Sequence, residues 1–174
     1  MTKVYAAVLY GFGGKTLSQI LSGDGTGKLV LKMQALGIKA RLFDHYETTL
    51  VAERIRAQEP DTKIIIGGTS LGACNSPLVG LRAGRQVDYM FGIQPSLYGI
   101  RADYSPNVAV ARCIYNPVWF LTFGLGARIL VPADGNTTTV VKYTKSYALH
   151  PGDAGADVHY TILNDLREQG LAAT

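Results

Sequence analysis

The chain has 174 residues, of which 47% are hydrophobic and 17% charged, and its formal net charge is +4. This length suits one domain with a substantial core and is too short for two ordinary ones, so we expect a single domain over 1–174. The 17 Lys and Arg residues are scattered, without a dense basic stripe or a nucleic-acid motif. The charge therefore does not indicate a nucleic-acid partner. Two cysteines, Cys74 and Cys113, are too few for a disulfide framework or a metal site at this spacing.

The N-terminal segment carries one lysine and an apolar run that is too short for a secretory signal peptide with its cleavage site. No stretch reaches the ~18 apolar residues that a membrane-spanning helix requires. We therefore expect a soluble, cytoplasmic protein with no transmembrane segment.

Apolar runs of strand length alternate with helix-compatible stretches, which is typical of an α/β protein with a mostly parallel sheet. The pattern predicts, in chain order, a strand (4–10), helices (16–21 and 29–36), a strand (38–43), a helix (48–58), a strand from Ile64, a helix after Ser70 to about Ala83, strands (87–93 and 108–115) and a closing helix (159–169). A glycine-rich stretch over 22–27 interrupts the helical pattern between the two predicted helices. Gly37 should end the second of them, over 29–36, as its C-cap. Asp134-Gly135 lies between two strand-like runs and predicts a hairpin.

The most distinctive segment is Gly68-Thr69-Ser70-Leu71-Gly72, which follows the β-branched run Ile64-Ile65-Ile66. Gly-x-Ser-x-Gly between a buried strand and a helix presents a serine nucleophile on a sharp turn with no room for flanking side chains. The amide of Leu71 then lies at a helix start, where it can face a developing oxyanion. The structural alternative is a tight glycine-rich turn with an N-capping serine.

A serine nucleophile needs a base, and the chain contains three histidines, His45, His150 and His159. His45 follows the second predicted strand, ahead of the serine. His150 lies in a predicted loop between the last strand and the last helix. His159 lies at the start of that helix, where a surface or capping role is the default.

With the loop Tyr10-Gly11-Phe12-Gly13-Gly14 after the first strand, the elbow and the late histidine resemble the α/β-hydrolase superfamily, specifically its small, lid-poor lipase, esterase and cutinase-like members. The loop is similar to the family's His-Gly-x-Gly oxyanion loop, with Tyr10 in place of the histidine. The resemblance covers most of the chain. It implies a three-layer α/β-hydrolase-like fold, with helices on both faces of a mostly parallel sheet and a minimal lid or none.

The resemblance also implies roles for individual residues, in the family order of oxyanion loop, serine, acid and histidine. Ser70 is the implied nucleophile and His150 the implied base, with His159 as the main competitor. The amides of Leu71 and Phe12 are the implied oxyanion donors.

The triad acid stays open among several residues between Ser70 and His150. Asp134 suits the family position, but the same residue equally forms a plain hairpin turn. Asp103 lies in a loop that could cover the site, whereas Asp88 begins a strand at the far end of the sheet. Directly after the fifth strand, where the resemblance places a carboxylate, the chain has Asn116, which could orient the histidine instead.

The sequence thus predicts a serine hydrolase that cleaves carboxylic esters of small molecules, lipids or polyesters through an acyl-enzyme on Ser70. Trp119 and Phe120 could line an apolar acyl pocket, with ordinary core packing as the alternative. Neither a metal nor an organic cofactor is expected. One alternative is a catalytically silent α/β-hydrolase scaffold used for binding or assembly. The other alternative is a phosphate-loop nucleotide-binding protein, whose motif is Gly-x4-Gly-Lys-[Ser/Thr]. The motif is incomplete here, because Leu9 occupies the position of the first glycine in one candidate segment and Leu29 that of the Ser or Thr in another.

Overall fold

The computed structural model of the protein describes residues 2–11, 14, 25–93, 95, 107–115, 139–144 and 156–173. The described strands are β1 (Val4–Leu9), β2 (Lys39–Phe43), β3 (Lys63–Thr69), β4 (Val87–Ile93), β5 (Val108–Tyr115) and β6 (Thr139–Thr144). The described helices are α1 (Gly25–Ala35), α2 (Thr48–Arg56), α3 (Leu71–Ala83) and α4 (Ala156–Glu168).

The six strands form one sheet in the order β2-β1-β3-β4-β5-β6, and every neighbouring pair is parallel. The chain moves outward from β1 to β2 and then returns to place β3 on the other side of β1. The strand order therefore reverses between β1 and β3. In open α/β sheets, the crevice at the carboxyl ends of the strands at such a reversal is the usual position of a ligand site.

The side chains of the central strands point alternately to two buried faces of the sheet. On one face, Leu9 of β1 packs with residues of α2 and α3, and on the other, Val8 packs with residues of α1 and α4. The first cluster includes Val51, Ile55 and Val79, and the second includes Leu29, Met33, Val158 and Ile162. Helices thus cover both faces of a parallel sheet, which confirms the predicted three-layer α/β arrangement.

Most predicted elements are present with small shifts at their ends, and Gly37, with φ of +80°, ends α1 as predicted. The start of α1 was predicted wrongly. The helix begins at Gly25 rather than near Leu29, and its first three residues are buried. The predicted helix over 16–21 and the predicted hairpin at Asp134-Gly135 lie outside the described residues.

A buried polar network joins the last helix to the sheet. The carboxylate of Asp165 on α4 accepts a hydrogen bond of 2.6 Å from the Tyr89 hydroxyl and two from the Arg112 guanidinium. Burial raises the pKa of Tyr89 well above its ordinary value, and the neighbouring carboxylate adds to this, so the phenol remains a donor. Removing one member of a buried ion pair costs about 3–5 kcal/mol, because it leaves the other charge uncompensated.

The described helices are short, and the two longest, α3 and α4, have 13 residues each. In the part of the chain that the structure describes, no helix combines the length and the apolar character needed to cross a bilayer.

Candidate active site

Ser70 occupies a sharp turn between the end of β3 and the first residue of α3. Its backbone has φ of 55° and ψ of −119°, and it is the one non-glycine residue with positive φ among the described ranges. Such a conformation costs of order 1–3 kcal/mol and persists only where the surroundings impose it. Here the Ser70 N–H donates to the Ile93 carbonyl at 2.9 Å, and the Ser70 carbonyl accepts from the Cys74 N–H at 3.2 Å. The strand, turn and helix therefore match the arrangement predicted from the Gly-x-Ser-x-Gly motif.

The two glycines of the motif are required by close backbone contacts. A Cβ at Gly68 would lie 2.5 Å from the carbonyl carbon of Gly72. A Cβ at Gly72 would lie 2.3 Å from the Leu9 carbonyl oxygen and 2.4 Å from that of Tyr10. Because these neighbours are backbone atoms, they cannot move aside. Gly72 therefore allows the first turn of α3 to rest directly on the end of β1.

Gly72→Ala should lower the free energy of unfolding by about 3 kcal/mol, because the added methyl overlaps the end of β1. Gly80→Ala, in the same helix, is the matched control. Its Cβ would meet side chains rather than backbone, and the nearest is the flexible end of Met90 at 3.3 Å. Alanine also gains about 1 kcal/mol in helix propensity over glycine. Urea unfolding of both variants measures the difference. Equal stabilities would contradict the close contact at Gly72.

The end of β1 runs beside the serine. A Cβ at Gly11 would lie 2.9 Å from the Ser70 Cβ and 3.6 Å from its Oγ, so the Gly11 backbone is in direct contact with the serine side chain. The Gly11 carbonyl accepts a hydrogen bond of 3.2 Å from the Gly14 N–H, which turns the chain immediately after β1. The elbow and the glycine-rich loop thus meet at the carboxyl ends of β3 and β1, where the strand order reverses.

On the other side of the elbow, the first turn of α1 contacts the residue before the serine. The hydroxyls of Thr26 and Thr69 are 3.0 Å apart in a buried hydrogen bond. The sequence did not indicate this contact, because Gly25 and Gly27 around Thr26 have low helix propensity. The contact braces the end of β3 on the face of the sheet that α1 covers.

His159, the competing base candidate, is 6% exposed and lies at the start of α4. Its Nδ1 is 3.1 Å from the Lys32 ammonium, and because an ammonium group can only donate, Nδ1 accepts. Burial lowers the pKa of His159 to about 4, and the Lys32 charge acts in the same direction. A histidine with this pKa is a weak proton acceptor near neutral pH.

The lowered pKa of His159 should make part of the stability depend on pH. In the unfolded chain a histidine titrates near pH 6.5, whereas in the folded chain His159 titrates at about 4. The unfolded state therefore binds more protons between these values, so stability is complete above about pH 6.5 and falls as the pH decreases towards 4. The pKa shift of His159 corresponds to about 3 kcal/mol in the free energy of unfolding.

Urea unfolding at pH 7.5 and pH 4.5 checks this, with His159→Asn as the comparison. The loss of stability on acidification should be smaller in the variant than in the wild type, because carboxylates contribute equally to both. An identical pH dependence in the two proteins would refute the buried, neutral histidine.

The structure describes only some of the residues predicted for the site. Ser70 and Leu71 lie at the elbow as expected, and Asp88 lies at the opposite end of the sheet, where its carboxylate accepts from the Ile64 N–H at 2.8 Å. The other predicted residues fall outside the described ranges; these are Phe12, Asp103, Asn116, Trp119, Phe120, Asp134 and His150.

Two residues that were not predicted for the site contact its surroundings. His45, two residues after the end of β2, donates from Nδ1 to the Gly11 carbonyl at 3.1 Å. Asn75 on α3 donates from its side chain to the His45 carbonyl at 2.8 Å. The available signal was the position of His45 at the carboxyl end of a strand, since such ends share one edge of a parallel sheet.

Two solved structures resemble the chain over nearly its whole length. A protein from Xanthomonas campestris pv. campestris, assigned to the α/β superfamily of hydrolases, gives a TM-score of 0.57 at 16% sequence identity, covering 93% of this chain and 99% of its own. A cutinase-like protein from a Cryptococcus species gives a TM-score of 0.57 at 13% identity, covering 99% of this chain and 96% of its own. The sequence matches neither a protein-family model nor a curated protein.

These similarities show the fold, since the identities are too low to carry an activity. The chain has the α/β-hydrolase fold, as the resemblance of its motifs predicted. The strand order, the parallel pairing and the elbow after β3 all agree with this conclusion.

Proposed function

We propose that the protein is a serine hydrolase that cleaves carboxylic esters through an acyl-enzyme on Ser70. The observation that carries this proposal is the backbone of Ser70, which holds a non-glycine residue at φ of 55° between a buried strand and a helix. A structural turn could use glycine at this position without strain. Strain of this kind clusters at functional sites, where it presents a side chain in a fixed direction.

The proposed reaction has two halves. In the first, the Ser70 Oγ attacks the ester carbonyl carbon while His150 takes the hydroxyl proton, and the carbonyl π electrons move onto the oxygen. The amides of Leu71 and Phe12 stabilise that oxyanion. When the carbonyl re-forms, the C–O bond to the alcohol breaks, and the alcohol leaves with the proton held by His150. Water then repeats these steps on the acyl-enzyme, releasing the acid and restoring Ser70.

The environment of His159 supports the choice of His150 as the base. His159 is buried against Lys32, and its pKa of about 4 makes it ill suited to take a proton near neutral pH. Asp134 is the proposed partner of His150, and Asp103 and Asn116 are the alternatives. Asp88 is unsuited to the role, because it lies at the other end of the sheet.

For the substrate, we propose esters with an apolar acyl group. Trp119 and Phe120 would line the pocket that binds this group. Esters of lipids and polyesters are substrates of this kind. No metal or organic cofactor enters the proposed steps.

A fluorophosphonate probe tests the proposal, because it phosphonylates only a serine that a base activates. Incubation of the purified protein, followed by peptide mass spectrometry, should locate the adduct on Ser70. Hydrolysis of a p-nitrophenyl ester of a short acyl chain should accompany it. Folded protein that neither takes up the probe nor hydrolyses the ester would instead be a silent scaffold, and the proposal would be wrong.

A further inference from the structure

We propose that His45 is a positioning residue that orients the oxyanion loop against the nucleophile, an inference that rests on the proposed function. Three observations carry it. His45 holds the carbonyl of Gly11, Gly11 contacts Ser70, and His45 is itself held by the helix that begins after Ser70.

The first step concerns the direction of one peptide group. The Gly11 carbonyl accepts from His45 Nδ1 at 3.1 Å and from the Gly14 N–H at 3.2 Å. In a trans peptide the N–H points opposite to the C=O, because the group is planar. Hydrogen bonds that fix the Gly11 carbonyl therefore also fix the direction of the N–H in the same peptide group. That N–H belongs to Phe12, the second oxyanion donor of the proposed function.

The second step is the close contact between this peptide and the serine. Gly11 lies so near Ser70 that a methyl group at position 11 would be 2.9 Å from the Ser70 Cβ. A rotation of the Gly11 peptide would thus change the surroundings of the attacking oxygen as well as the direction of the amide. Displacing an oxyanion donor by about 1 Å is costly, because electrostatic stabilisation depends on preorganised geometry.

The third step is the support of His45 itself. The side chain of Asn75, on α3, donates to the His45 carbonyl at 2.8 Å, and the Tyr46 ring packs edge-on against the imidazole at 5.4 Å between centroids. The neighbouring Asp44 lies against Gly14, because a Cβ at Gly14 would be 2.3 Å from a carboxylate oxygen of Asp44. The segment after β2 therefore touches both ends of the glycine-rich loop and the nucleophile helix.

The donor role distinguishes His45 from a general base. Since a carbonyl can only accept, Nδ1 of His45 carries the proton, and it does so in one neutral tautomer and in the charged form. Both states can hold the Gly11 carbonyl. Loss of His45 should therefore lower turnover without removing the limb of the pH–rate profile that reports the base.

The test compares His45→Leu, which removes the donor, with His45→Asn, whose side-chain amide can take the place of Nδ1. For a p-nitrophenyl ester, His45→Leu should lower kcat about 10- to 100-fold and change KM less than about threefold, because the oxyanion is bound only in the transition state. His45→Asn should recover most of kcat. Asn75→Ala should also lower kcat, by a smaller factor. The acidic limb of the pH–rate profile, which reports the base, should be unchanged in every variant.

Several results would overturn the inference. One is an active wild type with unchanged kcat in His45→Leu. Another is a loss of kcat in His45→Leu that His45→Asn does not recover, although the thermal midpoint of His45→Asn equals that of the wild type. Loss of fluorophosphonate labelling together with the acidic limb in His45→Leu would make His45 the base instead. A wild type with neither labelling nor turnover would overturn the proposed function itself, and this inference with it.

Discussion

Ser70→Ala should lower turnover of a short acyl ester by about 10⁴- to 10⁶-fold and abolish fluorophosphonate labelling, while the chain stays folded. The hydroxyl is the atom that forms the acyl-enzyme, so no other group can take its place. The residual rate should be that of binding and oxyanion stabilisation alone. Thr161→Ala, which removes a hydroxyl that donates to a backbone carbonyl within α4, is the control and should keep full activity.

A second variant at the same position separates strain from chemistry. Ser70→Gly should be as inactive as Ser70→Ala, yet more stable than it by about 1 kcal/mol, because glycine adopts positive φ without the steric cost. Urea unfolding measures the difference. If alanine and glycine gave equal stability, the backbone at this position would be unstrained, and the main support for a nucleophile there would be lost.

His150→Ala should reduce turnover by roughly 10⁴-fold or more, because no group then takes the serine proton during attack. His159→Asn should stay within about tenfold of the wild type, since a histidine whose pKa lies at about 4 is held neutral against Lys32. Steady-state kinetics at pH 7.5, with the thermal midpoint of each variant, provide the comparison. The reverse pattern would transfer the base role to His159.

Much of the fold follows from local patterns in the sequence. Ile64-Ile65-Ile66 is apolar throughout because β3 is buried on both faces, and the bounds predicted for β4 and β5 agree with the structure. The start of α1 was predicted wrongly because the local sequence there does not favour a helix. Gly25 and Gly27 are poor helix formers, and their helical state depends on burial of the turn and on the contact of Thr26 with Thr69.

The site likewise combines features that the local sequence encodes with features that depend on contacts between distant residues. The elbow is predictable because five adjacent residues encode both its turn and the glycines that permit it. The contact from His45 to Gly11 is not, because it joins residues 34 positions apart and depends on β2 lying next to β1 in the sheet. Alternating strands and helices predict a parallel sheet, but they do not give the order of its strands.

The network around Asp165 has a consequence for synthesis of the chain. Tyr89 and Arg112 belong to strands that leave the ribosome long before α4, yet their shared carboxylate lies on that last helix. Until it arrives, a guanidinium and a phenol lie on a sheet face that is mostly apolar. We therefore expect a nascent chain ending before residue 156 to lack native protease resistance. Docking of α4 would then be a required step of folding, rather than an addition to a finished core.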